Sequence, residues 1–287
     1  MKAVYLRELR AYFTTILGYL FLALMTLFVG VYAYVLNFVQ KYPTFEATLY
    51  YVNFVYLLVI PILTMRVFAE ERRRGTADLL YTLPLRLSGV AAGKYLALLT
   101  VLAIPCALFT LYPLILSRFG AVELRTAMGA ILGFFLLGAA LAAVGMFLSS
   151  LTPNSIAAAI LIFGVLFLSY LLADLCDYIP SDSYASFLCF LILALALAVV
   201  VFLLTKSAVF AAGLAIVCEL ALTALYFLKN EWFENAFPNM LSSCALFVRF
   251  ERFATGIFDL GSVVYYLTVI GLFLFFTVLS LEKRRWN

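Results

Sequence analysis

The sequence predicts an all-α membrane protein, a polytopic helical bundle of about eight transmembrane helices with both termini cytoplasmic. Three observations predict it. Hydrophobic types make up 67% of the 287 residues and charged types only 12%, about half the usual share in soluble domains. A soluble fold cannot hide that much apolar surface. Apolar runs close to the roughly 20 residues needed to cross a bilayer recur at 16–37, 51–69, 93–116, 127–148, 156–176, 187–205, 207–228 and 263–281. Finally, Lys and Arg segregate between the connecting segments. Thirteen fall on the side of the N-terminus, the 66–94 segment, Lys206 and the C-terminus. The six on the other side are Lys41, Arg118, Arg125, Lys229, Arg249 and Arg252, where Asp174, Asp177 and Asp182 also lie. The richer side is expected to be cytoplasmic.

The chain reads as a single transmembrane domain over 1–287. Residues 1–14 are too charged for a signal-peptide core. Tyr5, Leu6, Leu9, Tyr12 and Phe13 recur at helical spacing, with Arg7, Glu8 and Arg10 opposite. This pattern suits an interfacial elbow helix before the first span. Pro61 and Pro105 interrupt the second and third spans. Gly133, Gly138, Ala142 and Gly145 in the fourth suit close helix packing. Residues 187–228 form an extra helical hairpin, and Glu219 lies mid-membrane within it. An intramembrane acid is a candidate for charge or proton handling, or else for a hydrogen bond to a neighbouring helix. Residues 229–262 form an external amphipathic segment. Its Phe247, Phe250 and Phe253 suit a helix at the outer interface, and Trp232, Phe233 and Phe237 suit anchoring there.

The cytoplasmic segment 70–92 carries the densest charge. The helix of the second span projects outward through Glu70, Glu71 and Arg72. Gly75 interrupts it, and Thr76 is placed to cap a second, short helix. Asp78 sits in the favourable first turn. Leu79, Leu80 and Leu83 make a short apolar stripe that Pro84 stops. An apolar stripe held off the membrane needs a cover. A second cytoplasmic turn holds Ser149, Ser150, Thr152 and Asn154.

Enzymatic classes find little support. The chain has no histidine, no G-x-x-x-x-G-K-[ST] phosphate loop and no pair of carboxylates within a span. No basic face is interleaved with aromatics, so no nucleic-acid partner is expected.

Glu71, Gly75, Thr76, Leu80, Pro84 and the Gly93–Ala97 run resemble the cytoplasmic loop of ABC-2 type transporter permeases. "SSLTPNSIAAAI" at 149–160 resembles that family's short turn between spans four and five. "FERFATGIFDLGSVVYYL" at 250–267 resembles the approach to the last span in its GldF-like and NosY-like branch. The resemblance implies a six-span core, with 187–228 as an insertion. It implies that 70–92 docks on an ABC ATP-binding subunit, present in two copies, which binds ATP and Mg and supplies the hydrolysis. This chain then holds no cofactor and is not itself an enzyme. It implies a second permease subunit, identical or related, a possible GldG-like membrane subunit, and the cytoplasmic membrane of a bacterium or archaeon. The function implied is an export-type permease. The alternative is an ATPase-driven scaffold or assembly factor that moves no substrate.

Overall fold

The computed structural model describes residues 1–73, 75, 87–118, 122–178, 182–205 and 208–285. Every regular element among them is helical. Among the described residues, six helices are long and apolar enough to cross a membrane: Ile16–Val39, Phe45–Arg73, Leu87–Leu116, Leu124–Leu151, Ser155–Leu172 and Leu260–Arg284. The chain forms two compact units, Met1–Tyr170 with Leu246–Asn287, and Leu171–Ala245.

In the first unit, α1 (Lys2–Thr14) precedes α2 (Ile16–Ala33), which continues through a π-helical turn at Tyr34–Val39. Asn37 in that turn reaches across the chain reversal. Its amide donates to the carbonyls of Tyr42 and Thr44, and its carbonyl accepts from the Thr48 hydroxyl at 2.8 Å. The reversal is thereby held by side-chain to backbone hydrogen bonds. Lys41 takes a left-handed φ of 58° at this reversal.

The second span is built in pieces: α3 (Phe45–Val52), a 3₁₀ turn at Asn53–Val55, α4 (Tyr56–Thr64) and α5 (Ala69–Arg73). Pro61 lies inside α4 and has no N–H to give. The helix opens into turns one step later, at 65–68. A neighbouring serine repairs the opening. Ser149 Oγ donates to the Met65 carbonyl at 3.1 Å and accepts from the Phe68 N–H at 3.3 Å.

Next come α6 (Leu87–Phe109), α7 (Leu111–Leu116), α8 (Leu124–Leu151) and α9 (Ser155–Tyr178). The middle of α8 is almost wholly buried, from Leu137 to Met146. Its glycines explain how so many neighbours approach it. A Cβ at Gly138 would come within 2.8 Å of the Tyr56 ring, and one at Gly145 would overlap the Thr64 side chain. Tyr56 uses that space to stack on Phe134, with centroids 4.5 Å apart, and to donate to the Phe134 carbonyl. The small residues of the fourth span are packing surfaces within the subunit. Large apolar residues such as Ile156, Ile160, Leu267 and Phe275 point outward, as a lipid-facing surface requires.

The second unit holds α10 (Ser183–Thr205), α11 (Ala208–Leu228), a 3₁₀ turn at Asn230–Phe233 and α12 (Ala236–Cys244). Over their fully described residues, α10 and α11 supply shorter apolar stretches, Ser183–Val199 and Ala215–Leu228. Phe187 stacks on Tyr226 at 4.6 Å, and Phe190 meets Phe237 edge-on at 5.2 Å. Phe233 is buried among these rings. It is therefore a core residue, while Trp232 stays exposed beneath the Lys229 ammonium.

Back in the first unit, α13 (Val248–Ala254) leads to α14 (Leu260–Arg285). Here the expectation of an interfacial amphipathic helix is corrected. Phe247, Phe250 and Phe253 are all buried. Phe253 lies so close over Gly133 that a Cβ there would overlap its ring, and Phe250 packs edge-on to Phe134. The stripe plugs the bundle and does not float on it. The loop after α13 is closed by Arg252, which pairs with Asp259 at 2.9 Å. Asp259 also accepts from Ser262 Oγ and the Gly261 N–H. Its carboxyl is held below the usual range, first by the Ser262 hydroxyl, then by the Gly261 N–H and the Arg252 guanidinium.

Candidate coupling site at the basic end of the bundle

The N-terminus, α5, the start of α6, the 149–155 turn and the end of α14 meet at one end of the first unit. The centre of this end is Lys94, on α6, whose side chain is 1% exposed. A buried ammonium is tolerated only when its charge and its three donors are matched. Lys94 Nζ lies 2.9 Å from Glu71, 3.1 Å from Glu8 and 2.7 Å from the Val67 carbonyl. The Phe68 ring sits under it at 4.9 Å. Arg7 closes the network from outside, 2.7 Å from Glu8 and 2.5 Å from Glu71. Partial burial lowers the Arg7 pKa, but the two carboxylates outweigh it and the net shift is upward.

This network joins three segments that are far apart in sequence: α1, α5 and α6. Two further features fix α1. Tyr12 is buried and donates to the Leu63 carbonyl at 3.0 Å, and burial, aided by the nearby Glu8, pushes its phenol pKa up. Gly93 lets the start of α1 approach, since a Cβ there would meet the Met1 carbonyl at 3.1 Å. The assignment of Glu8 to the outer, charged face of α1 is thus corrected. It faces inward because its partner is a lysine 86 residues away.

A second set of bonds ties α5 to the 149–155 turn. Arg72 Nη1 donates to the Ser150 carbonyl at 3.1 Å. Ser149 bonds to the 65–68 opening, as described above. Ser150 Oγ donates to the Phe147 carbonyl and lies 3.1 Å from Ser280 Oγ on α14. Thr152 Oγ1 and Asn154 Oδ1 accept from the N–H groups of Asn154 and Ile156, which opens α9 with an ordinary side-chain cap. Ser149 and Ser150 therefore cross-tie other helices, whereas Thr152 and Asn154 act within the turn.

Among the sequence-derived site residues, the structure gathers Glu70, Glu71, Arg72, Ser149 and Ser150 at one end. Glu70 pairs with Arg66 at 3.8 Å. Gly75 takes a φ of +68°, with nothing near its Cβ position, so the helix ends there with left-handed backbone that suits glycine. Thr76, Asp78, Leu79, Leu80, Leu83 and Pro84 lie outside the described residues, as do the side chains of Asp174 and Asp177. Glu219 is in the second unit. Its backbone carbonyl accepts from Thr223, and its carboxylate is half-buried, with no hydrogen bond or ion pair among the described residues.

Lys94 was not singled out from the sequence beyond its place in the Gly93–Ala97 run. A signal was present: a lysine at the eighth position of an apolar helix needs a counter-ion. Glu46 was missed as well. It is 4% exposed on α3, and Oε1 accepts from Thr126 Oγ1 at 2.5 Å while Oε2 is buried with no hydrogen-bond partner among the described residues.

Among the described residues, six membrane-length helices and a charged, cross-tied end fit a multi-pass membrane protein. A family model described as "ABC-2 family transporter protein" matches residues 39–174, just under half of the chain. That stretch takes in the second to fifth spans, the 70–92 segment and the 149–155 turn. Comparisons with curated proteins and with solved structures each found no match.

Proposed function

We propose that this chain is the membrane-spanning permease subunit of an ABC transporter of the ABC-2 type, working with a separate ATP-binding subunit. One observation carries the reading. The family match covers the segment 39–174, and the two cytoplasmic connections inside it emerge from a single cross-tied platform around Lys94, Arg72 and Ser149. A short loop can move a membrane domain only if it is attached to something stiff. Buried ion pairs and helix-to-helix hydrogen bonds provide that stiffness here.

In this reading the basic end is cytoplasmic, and Leu79, Leu80 and Leu83 seat in a groove of the ATPase. ATP and Mg are bound by that partner, in two copies, and two permease subunits form the path. The direction is export, across the cytoplasmic membrane of a bacterium or archaeon, and α10 and α11 add two spans outside the six-span core. Coupling of this type is a bistable rearrangement driven by differential contacts. Purification from native membranes with identification of the partners tests the first requirement. A co-purifying protein with a phosphate-loop motif supports the reading. Its absence, with the complex otherwise intact, sinks it.

A further inference from the structure

We infer that the end of α14 forms a binding site for the phosphate of an anionic phospholipid. A cavity of about 660 Å³ opens there, lined by Phe147 and Leu151 of α8 and by Phe273, Phe276, Leu279, Ser280, Lys283 and Arg284 of α14. Its chemistry is split. One wall is apolar, with the rings of Phe273 and Phe276 each 5.8 Å from that of Phe147. The other holds two cations and no acid. Glu282, the neighbouring carboxylate, is exposed and does not line the cavity.

Arg284 supplies the second, independent observation. Its Nη2 donates to the Leu151 carbonyl at 2.8 Å, and Nη1 is buried with no hydrogen-bond partner among the described residues. A buried guanidinium N–H without an acceptor is costly, and a phosphate oxygen is the acceptor a guanidinium fits best. Leu279 and Phe276 are partly exposed where the apolar wall meets the surface, at the level where a span leaves the hydrocarbon. A small soluble anion would leave that wall bare, whereas a phospholipid covers it with glycerol and acyl chain while the phosphate reaches Lys283 and Arg284. Basic side chains at the cytoplasmic end of a span are placed to recruit such lipids. Arg284 then holds the phosphate through Nη1 and the Leu151 carbonyl through Nη2.

The test compares the full-length protein in nanodiscs of phosphatidylcholine alone and of phosphatidylcholine mixed with phosphatidylglycerol. The phosphatidylglycerol discs are expected to raise the unfolding temperature. Native mass spectrometry is expected to show preferential retention of phosphatidylglycerol, falling about fivefold with Lys283→Gln and at least as much with Arg284→Gln. Lys283→Gln protects the test from a folding defect, since Lys283 is exposed and makes no structural bond among the described residues. Equal retention of both lipids by the wild type, or retention unchanged in both variants, overturns the inference. So does an equal thermal shift from inorganic phosphate in detergent, which would make the site one for soluble anions. A disulfide between copies carrying Leu279→Cys in native membranes would make a second chain the occupant.

Discussion

Replacing Lys94 by methionine tests the platform directly. Methionine keeps most of the volume but removes the charge and the donors. The variant loses contacts to Glu71 at 2.9 Å, Glu8 at 3.1 Å and the Val67 carbonyl at 2.7 Å. Stripping one partner from a buried ion pair costs about 3–5 kcal/mol. Here Glu8 and Glu71 are partly exposed and keep Arg7, which puts the expectation near the low end, about 3 kcal/mol. For a chain of this size that corresponds to a fall in unfolding midpoint on the order of 5–10 °C. The assay is thermal unfolding in a mild detergent, followed by tryptophan fluorescence or loss of monodispersity. The triple variant Lys94→Met, Glu8→Gln, Glu71→Gln should recover part of the loss, because it no longer leaves acids facing each other across a gap. An unchanged midpoint in the single variant, or no recovery in the triple, would falsify the claim that this network holds α1, α5 and α6 together.

The other predictions concern coupling, packing, topology and pH. On the proposed function, Leu79→Asp or Leu80→Asp should abolish ATP hydrolysis stimulated by this chain in the reconstituted complex, with the chain still folded; full stimulation would remove the docking role proposed for this segment. Gly138→Ala should destabilise by about 1–3 kcal/mol, since the added methyl overpacks against the Tyr56 ring, whereas Gly164→Ala, with nothing near its Cβ position, should be close to neutral. A cysteine introduced by Ser181→Cys should react with an impermeant reagent from outside only, and labelling from the cytoplasm would overturn the assigned orientation. The Asp259 carboxyl is lowered in the folded state, so its contribution is present above the unfolded value, about pH 4, and is lost as pH falls through the lower folded value. The hydrogen-exchange protection factor at Gly261, referred to the intrinsic rate at each pH, should therefore fall in acid, and Asp259→Asn should flatten that dependence.

The fold class was legible because bilayer insertion imposes a length and a composition that single residues cannot disguise. That residues 2–14 form a helix was legible too, as Tyr12 and its apolar companions keep helical spacing. What failed was the direction in which particular side chains point when their partners are distant in sequence. Glu8 reads as an outward charge until Lys94 is placed against it. Phe247, Phe250 and Phe253 read as an interfacial stripe, since nothing local announces that Gly133 leaves room for the Phe253 ring. The serines at 149 and 150 read only as part of their own turn, whereas Ser149 bridges the opening at 65–68 in another helix and Ser150 reaches Ser280 on α14. In each case a vacancy or an unsatisfied group on one helix is answered from another. The candidate site is legible in the same measure: Glu70, Glu71, Arg72 and the serines announce themselves by charge and by family resemblance, and Lys94, which organises them, does not.

The order of the Lys94 partners along the chain has a consequence for synthesis. Glu8 and Glu71 both precede the lysine, and so does the Val67 carbonyl. When the third span leaves the ribosome, every group that neutralises its ammonium has already been made. A lone lysine entering an apolar phase is penalised, whereas one that arrives at a waiting pair of carboxylates need never be exposed to lipid unpaired. On this order of synthesis the helix at 2–14 is expected to assist insertion of the third span as well as to pack in the finished protein. A chain lacking residues 1–14 should stumble at the third span during membrane integration.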